Sequence, residues 1–378
     1  MSKLRGNVIN PSEAIDKYGV DALRFALTTG TSPGNDINLG KGKLEASRNF
    51  ANKLWNATRF ILQCLDTEAL EARISPILSG RPQRIEDQWI DSQLNRLIKN
   101  VTELMEDFQF GEAEQQIYDF VWSEFCDWYI EIAKIRLRGQ STLSPLPFLV
   151  NTLEKSLRLL HPFMPFITEE LWQVLRVRLL RPDTIGARND TRGMPASVMI
   201  APYPLADDKA FAPEAERVMD SVIEIVRSIR NVRAQHKVKL TRWIEAWVYT
   251  DELLPSLITQ ANIIETLAKV RPLTVLSRQE REPTKDEALV LVLKEAEVVL
   301  PLAGMVDRLA EEQRLVKESE EIEERVARLE ARLRDSAFLN KAPSQVIEKE
   351  KQKLAMLKDK LERLYQELSQ LGSSSADS

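Results

Sequence analysis

Residues 87–139 read DQWIDSQLNRLIKNVTELMEDFQFGEAEQQIYDFVWSEFCDWYIEIAKIRLRG, and the folding of this stretch decides the architecture around it. Its apolar residues recur at helical spacing, and the pattern predicts two long helices joined near Phe110-Gly111. The same period continues outward. On the N-terminal side, LGKGKLEASRNFANKLWNATRFILQCL sets Leu44, Phe50, Leu54, Trp55, Ala57, Ile61 and Leu65 in a broad apolar stripe with Lys and Arg opposite. On the C-terminal side, FLVNTLEKSLRLLHPFMPFITEELWQVLRVRLL predicts two more helices, broken at His161-Pro162 because proline cannot continue a helix interior without cost. Before all of these, Asn10-Pro11-Ser12-Glu13 opens a helix with Ser12 as its cap, along which Ala14, Tyr18, Ala22 and Phe25 recur at helical intervals. Long helices with short connections, from Pro11 to about Arg178, predict an antiparallel bundle.

Bulk properties bound the rest. A chain of 378 residues suggests two to four domains, and 43% apolar with 29% charged residues describes an ordinary soluble protein. The formal net charge of −5 offers no overall basic field for nucleic acid, so any such binding must use local patches. Cys64 and Cys126 have no CxxC partner, which argues against a metal site and for two buried thiols in a reducing compartment. No signal peptide opens the sequence and no uncharged membrane-length apolar run appears, so the expected location is the cytoplasm, away from membranes.

Beyond the bundle the period changes. SVMIAPYP, RWIEAWVYT, PLTVLS and ALVLVLKEAEVVLPL are short β-rich runs, with a helix at PEAERVMDSVIEIVRSIRNVRAQ among them, so a small α/β domain is expected. Towards the C-terminus Leu315, Ile322 and Leu329 recur by seven, with Val326 and Leu333 on the alternate seam. After SAFLNKAPS, Ile347, Leu354, Leu361 and Leu368 form one seam and Leu357, Leu364 and Leu371 the other. Asn340 and Pro343 break the helix between the two runs, which predicts an antiparallel coiled-coil hairpin followed by a polar tail.

The chemically sharpest residue is Lys3, in the basic loop Ser2-Lys3-Leu4-Arg5-Gly6-Asn7. A lysine beside glycine and small polar residues can reach phosphate oxygens as a mobile point charge; it can equally be a solvated lysine. His161, at a helix break without a nucleophile or carboxylate beside it in sequence, reads as structural. His236, in the basic turn RAQHKVKL, reads as surface, and Trp55, Trp122 and Trp128 read as core.

Taken whole, MSKLRGNVINP resembles the K-M-S-K-S-x-G-N-V-I-D-P loop of class I aminoacyl-tRNA synthetases, and IDKYGVDALRF resembles the segment that follows it in the valine, isoleucine and leucine enzymes. GNDINLGKGKLEASRNFANKLWNATRF, WSEFCDWYIEIAK, HPFMPFITEELW, RNVRAQ and a coiled coil after VVLPLAG with NKAPSQVIEKE at its turn are most similar to the valyl-tRNA synthetases. Leu4, Arg5 and Asn10 depart from the family loop, and its first lysine would precede Met1. The resemblance implies a mainly α chain. Residues 1–40 would end a catalytic domain, 41–180 form a helical anticodon-binding bundle, 181–196 a linker, 197–302 the α/β domain, 303–371 a tRNA-binding hairpin and 372–378 a disordered tail.

It also implies roles. Ser2 and Lys3 would contact ATP, Lys3 stabilising its phosphates during activation of valine, with Mg in the full enzyme. The bundle would read the anticodon of valine tRNA, with Lys41, Lys43 and Arg59 on phosphates and Phe60 stacking on a base, unless Phe60 fills the core and the cations only solvate the surface. Lys134, Arg136 and Arg138 form a second basic stripe, either RNA-facing or a solvated helix end. Arg328 and Lys353 on the hairpin would support the tRNA backbone, or serve pairing and solubility. The nucleotide fold, its H-I-G-H motif and the editing domain precede this loop in the family, so the chain alone is expected to be an inactive, monomeric tRNA-binding piece that holds no metal and binds ATP stably only with the missing half. The competing readings are a piece of an isoleucyl-tRNA synthetase, disfavoured by the absence of a cysteine-rich zinc module, and a stand-alone coiled-coil adaptor.

Overall fold

The computed structural model describes residues 9–30, 39–67, 82–139, 143–179, 194–281, 288–301, 308–334 and 344–373. The loop bearing Ser2 and Lys3, most of 181–196, the break before Ser344 and most of the polar tail lie outside them. The chain divides into two compact units, one of residues 1–226, 250–268 and 294–296, the other of 227–249, 269–293 and 297–378.

The first unit begins with α1 (Pro11–Tyr18) and α2 (Val20–Thr28). The single opening helix expected from the spacing is in fact two, because Gly19 takes φ +93°, a conformation that L side chains rarely adopt. The cap is Asn10 rather than Ser12: its side chain accepts the Ser12 N–H at 3.1 Å. The bundle proper is α3 (Lys41–Thr67), α4 (Ile85–Glu106), α5 (Phe110–Asp119), a π-helical segment (Phe120–Tyr129), α6 (Ile130–Arg138), α7 (Leu146–Leu160) and α8 (Pro165–Leu179). Phe110 to Arg138 is therefore one helical run with a wider turn in its middle. Its core includes Phe50, Leu54, Ile61, Trp89, Ile98, Phe125, Tyr129 and Trp172, all nearly inaccessible.

Short-range patterning forms these helices; long-range polar contacts orient them. Buried Asp21 on α2 accepts the N–H groups of Phe166 (3.3 Å) and Ile167 (2.6 Å), which the first turn of α8 cannot satisfy internally. Arg24, one turn on, donates to the carbonyls of Pro162 (3.1 Å) and Phe163 (3.2 Å) in the break between α7 and α8. His161 Nδ1 lies 2.8 Å from Thr168 Oγ1, tying the same turn to α8. In SVMIAPYP, expected as a strand, Val198–Ile200 is a 3-10 turn. Its Val198 N–H bonds the Glu169 carboxylate at 3.0 Å, so the segment needs no neighbouring strand. The unit also contains α9 (Pro213–Gln235) as far as Val226, and the short helices α10 (Leu254–Thr259) and α11 (Ala261–Ala268), neither of which is expected from the sequence pattern.

The second unit holds a four-stranded sheet ordered β2-β1-β4-β3, with β1 (Ile244–Tyr249), β2 (Val270–Leu276), β3 (Ala288–Val292) and β4 (Glu297–Pro301). β1 pairs parallel to β2 and antiparallel to β4, and β3 and β4 form a hairpin. Ile244, Ala246 and Val248 alternate into the buried face of β1. The same unit ends in α12 (Arg308–Arg334) and α13 (Ser344–Ser373), packed antiparallel as the heptads require. Ile322 and Leu364 are buried in the seam, with Val326, Leu357 and Leu361 packed against them. Cross-helix pairs Lys358–Glu330 (2.6 Å) and Lys360–Glu318 (2.9 Å) and a Tyr365–Glu323 hydrogen bond flank it.

Among the described residues the seam centres on Ile322 and Leu364. Ile322→Asp would place an unpaired carboxylate there and cost several kcal/mol. Circular dichroism should lose helix matching this hairpin while the rest melts as before; an unchanged hairpin melt would refute the seam assignment.

One group in the first unit makes stability depend on pH. Glu114 on α5 is wholly buried and neither carboxylate oxygen has a hydrogen-bond partner in ordinary geometry. Burial pushes its pKa up to about 8, against the opposing influence of Thr28, Thr29, Lys43 and Arg24. The two threonine hydroxyls donate instead to backbone carbonyls of α2, which leaves burial dominant. The folded state therefore binds the proton more tightly than the unfolded chain, and stability falls as pH rises from about 4.5 to about 8. Glu114→Gln should flatten that fall and stabilise the protein by a few kcal/mol near the upper end, each tenfold difference in proton affinity being worth ~1.4 kcal/mol. Melting temperatures of variant and native chains that run parallel across this range would disprove it.

Candidate nucleic-acid interface

The outer face of α3 carries most of the residues singled out in the bundle. At its start Lys41 is exposed, whereas the Lys43 ammonium donates to the Thr29 carbonyl at 2.7 Å, neutralising the carbonyl end of α2. Four turns further on, roughly 24 Å along the axis from Lys43, Arg59 is exposed and Phe60 half-buried. These four residues therefore make two separate places, not one cluster. Phe60 turns about 100° from Arg59 and packs beneath Lys134 of α6, whose ammonium lies 5.2 Å from the ring centre. Lys134 also bonds Glu131 at 2.6 Å.

Between these places the structure assembles groups that sequence reasoning does not single out. Lys53 sits 3.7 Å above the Trp122 ring and 2.6 Å from Asp127 Oδ1. Trp122 stacks on Tyr118 at 5.6 Å and 25°, and Tyr118 meets Phe50 at 4.8 Å. The i, i+4 spacing of Tyr118 and Trp122 is a signal in the sequence. The π turn that sets Trp122 and Asp127 on either side of Lys53 is not. Wider turns of this kind recur at functional sites because they re-aim side chains without breaking the helix.

Three expectations are corrected here. Trp55, read as core, is 45% exposed, one turn from Arg59 and beside Asn52 and Asn56, because the apolar stripe of α3 is narrower than its composition suggests. Trp122 is half-buried, and of the three tryptophans Trp128 alone is core. Arg136, read as part of a surface basic stripe, is buried and paired with Asp87 at 2.5 Å. Of that stripe Arg138 is exposed. Cys126 is buried and its thiol is pushed up to about 12, which makes it unreactive; Cys64 is only partly buried.

Arg328 is exposed on α12 and pairs with Glu324 one turn back at 3.0 Å. Lys353 is exposed on α13. The Lys358–Glu330 pair sets the register, and it puts Lys353 roughly 10 Å along the hairpin axis from Arg328, towards the turn. Ser2 and Lys3 lie outside the described residues. Among the described residues no cluster of three metal-ligating side chains occurs, and no helix is long and apolar enough to cross a membrane.

An exposed indole, flanking amides, cations and a cation–aromatic stack are what single-stranded RNA bases and phosphates require. Comparison with known proteins identifies the segments of the chain by family. Residues 87–246 match the anticodon-binding domain of tRNA ligase, residues 307–372 the valyl tRNA synthetase tRNA binding arm, and residues 1–40 the class I tRNA synthetases (I, L, M and V). The valine–tRNA ligase of Dehalococcoides mccartyi strain 195 is 48% identical over 364 residues, covering 96% of this chain and 40% of the relative. Those of Symbiobacterium thermophilum (39%, covering 99% and 41%) and Bacillus subtilis (36%, covering 93% and 38%) match similarly. The chain thus spans about two-fifths of the length of these relatives. Along nearly all of its own length it corresponds to the C-terminal region of the valine–tRNA ligases.

Proposed function

We propose that this chain is the tRNA-holding part of a cytoplasmic, monomeric valine–tRNA ligase, an enzyme that activates valine with ATP and transfers it to valine tRNA. The observation that carries this reading is the unbroken likeness to valine–tRNA ligases through the bundle, the sheet and the hairpin alike. In this reading the outer face of α3 and the π segment hold the anticodon loop. Phe60 and Trp55 offer ring faces to unstacked bases, Asn52 and Asn56 offer amides to base edges, and Arg59 and Lys41 meet phosphates. Lys43 contributes indirectly by fixing α2 against α3. The exposed cations of the hairpin, Arg328 and Lys353, meet the backbone elsewhere on the tRNA. Lys3, with Ser2 beside it, would stabilise the phosphates of Mg-bound ATP within the whole ligase, and ATP and valine belong to that larger assembly.

Filter binding with valine tRNA and an unrelated tRNA, at several salt concentrations, tests this. Valine tRNA should bind more tightly, and both affinities should fall with salt as phosphate contacts release counterions. Phe60→Ala and Trp55→Ala should each reduce discrimination, a lost stack being worth ~1–3 kcal/mol. Replacing Arg328 and Lys353 together should weaken both tRNAs and lower the salt slope by about two. Negligible binding of either tRNA by the folded chain would overturn the proposal. A Phe60 variant that melts earlier yet discriminates normally would return that ring to the core.

A further inference from the structure

The second unit carries a basic platform apart from the hairpin. Trp243, just before β1, is 38% exposed, and two cations lie over its ring: Lys269 Nζ at 4.8 Å and the Arg271 guanidinium at 4.7 Å from the centre. The segments that meet here, 236–243 and 269–271, contain three lysines, two arginines and no Asp or Glu, in a chain of formal net charge −5. Lys239, Lys269 and Arg271 are exposed.

The platform is built from below. Arg233, only 5% exposed, points its guanidinium at three backbone carbonyls, Lys269 O (3.1 Å), Lys239 O (3.1 Å) and Arg242 O (2.8 Å). One buried cation thus cross-links the turn after α9 to the start of β2, and it fixes three residues that display their own side chains outward. Lys269 itself sits at φ +57°, a left-handed backbone that costs free energy in a non-glycine residue and persists where surroundings over-determine it. The β1–β2 register, Ile244 opposite Val270, sets Trp243 beside Lys269 and the next same-face residue, Arg271. Two like charges held on one ring attract polyanions more strongly than either would alone, and the ring quadrupole offsets part of their repulsion.

We propose that this platform, Trp243 with Lys269, Arg271, Lys239 and Arg242, binds the RNA sugar–phosphate backbone without sequence preference, as a contact distinct from the α3 face and the hairpin. RNA is favoured over an acidic protein because Lys239, Arg242 and Trp243 fall within the segment that matches the anticodon-binding domain, Lys269 and Arg271 between it and the tRNA binding arm, and because the indole offers a ring face beside the cations. The inference rests on the tRNA reading, and its test is arranged so that the two fail differently.

The measurement is filter binding of the whole chain to valine tRNA and to an unrelated tRNA between roughly 50 and 200 mM salt. The variant is Lys269→Asn with Arg271→Gln, asparagine being tolerant of left-handed backbone. A phosphate contact accounts for roughly three-fold of the affinity lost across that range, so removing two should shrink the loss about ten-fold. Both tRNAs should weaken by the same factor, leaving discrimination unchanged. Should that variant unfold by circular dichroism, Lys239→Gln with Arg242→Gln keeps the carbonyls Arg233 needs and is expected to give the same loss. If the native chain binds no tRNA, the tRNA reading itself fails. If the native chain binds and a folded variant keeps its affinity and salt slope, the platform is not an RNA contact. Binding of an acidic protein by a platform that leaves tRNA affinity untouched would overturn the inference equally.

Discussion

The bundle depends on a buried charge cluster at the start of α4. Asp87 accepts from Arg136 at 2.5 Å and from the Tyr129 hydroxyl at 2.7 Å, and the same Arg136 nitrogen lies 3.4 Å from Glu86. Arg136 also donates to the Leu143 carbonyl at 2.9 Å, and Arg84 bonds Glu86 at 2.9 Å. Burial pushes the Asp87 carboxyl upward even with its arginine beside it, a sign of how dry the site is. Such a cluster adds little net stability compared with a hydrophobic replacement, yet losing one partner costs about 3–5 kcal/mol by stranding the others. Its effect is therefore geometric: Asp87, Tyr129 and Arg136 tie α4, the π segment and α6 into one alignment.

That alignment reaches the proposed anticodon face. Tyr129 ends the π segment and Arg136 lies two turns later, so the cluster holds the far end of the element that carries Trp122 and Asp127 beside Lys53. Lys134, between Tyr129 and Arg136, covers Phe60. The dry inside of the helical run is fixed by ionic bonds, and its outside carries the cations and rings of the proposed anticodon face. The Asp21–Arg24 clamp acts alike at the α7–α8 break, where paired backbone groups replace the helical bonds that Pro162 and Pro165 remove.

Charge is distributed by place rather than by total. The whole chain is mildly acidic, but its positive side chains are set where backbone geometry exposes them: along α3, on the hairpin, and on the platform organised by Arg233. On the hairpin many cations are matched by glutamates across the seam or one turn away, as with Arg328 and Lys358. A polyanion there must compete with those partners, whereas on the platform Lys269 and Arg271 share the face of the Trp243 ring.

The sequence by itself determined the helices of the bundle, the proline break after His161, the strands of the sheet and the heptad hairpin, because each rests on periodicity or on residues within a few positions. Residues such as Phe50, Leu54 and Ile61 were legible as core, and Arg59 as an exposed cation on α3, for the same reason. What only the tertiary structure decided was which polar residue meets which. Asp87 finds Arg136 49 positions away, and Arg24 finds Phe163 139 positions away. No local pattern encodes such pairings. The same holds for the π turn, which composition does not distinguish from an α-helix, and for Trp55, whose side of α3 depended on neighbours supplied by other helices. Periodicity says that a face is apolar, but the partners that cover it, and so the ring left in solvent, follow from packing over the whole unit.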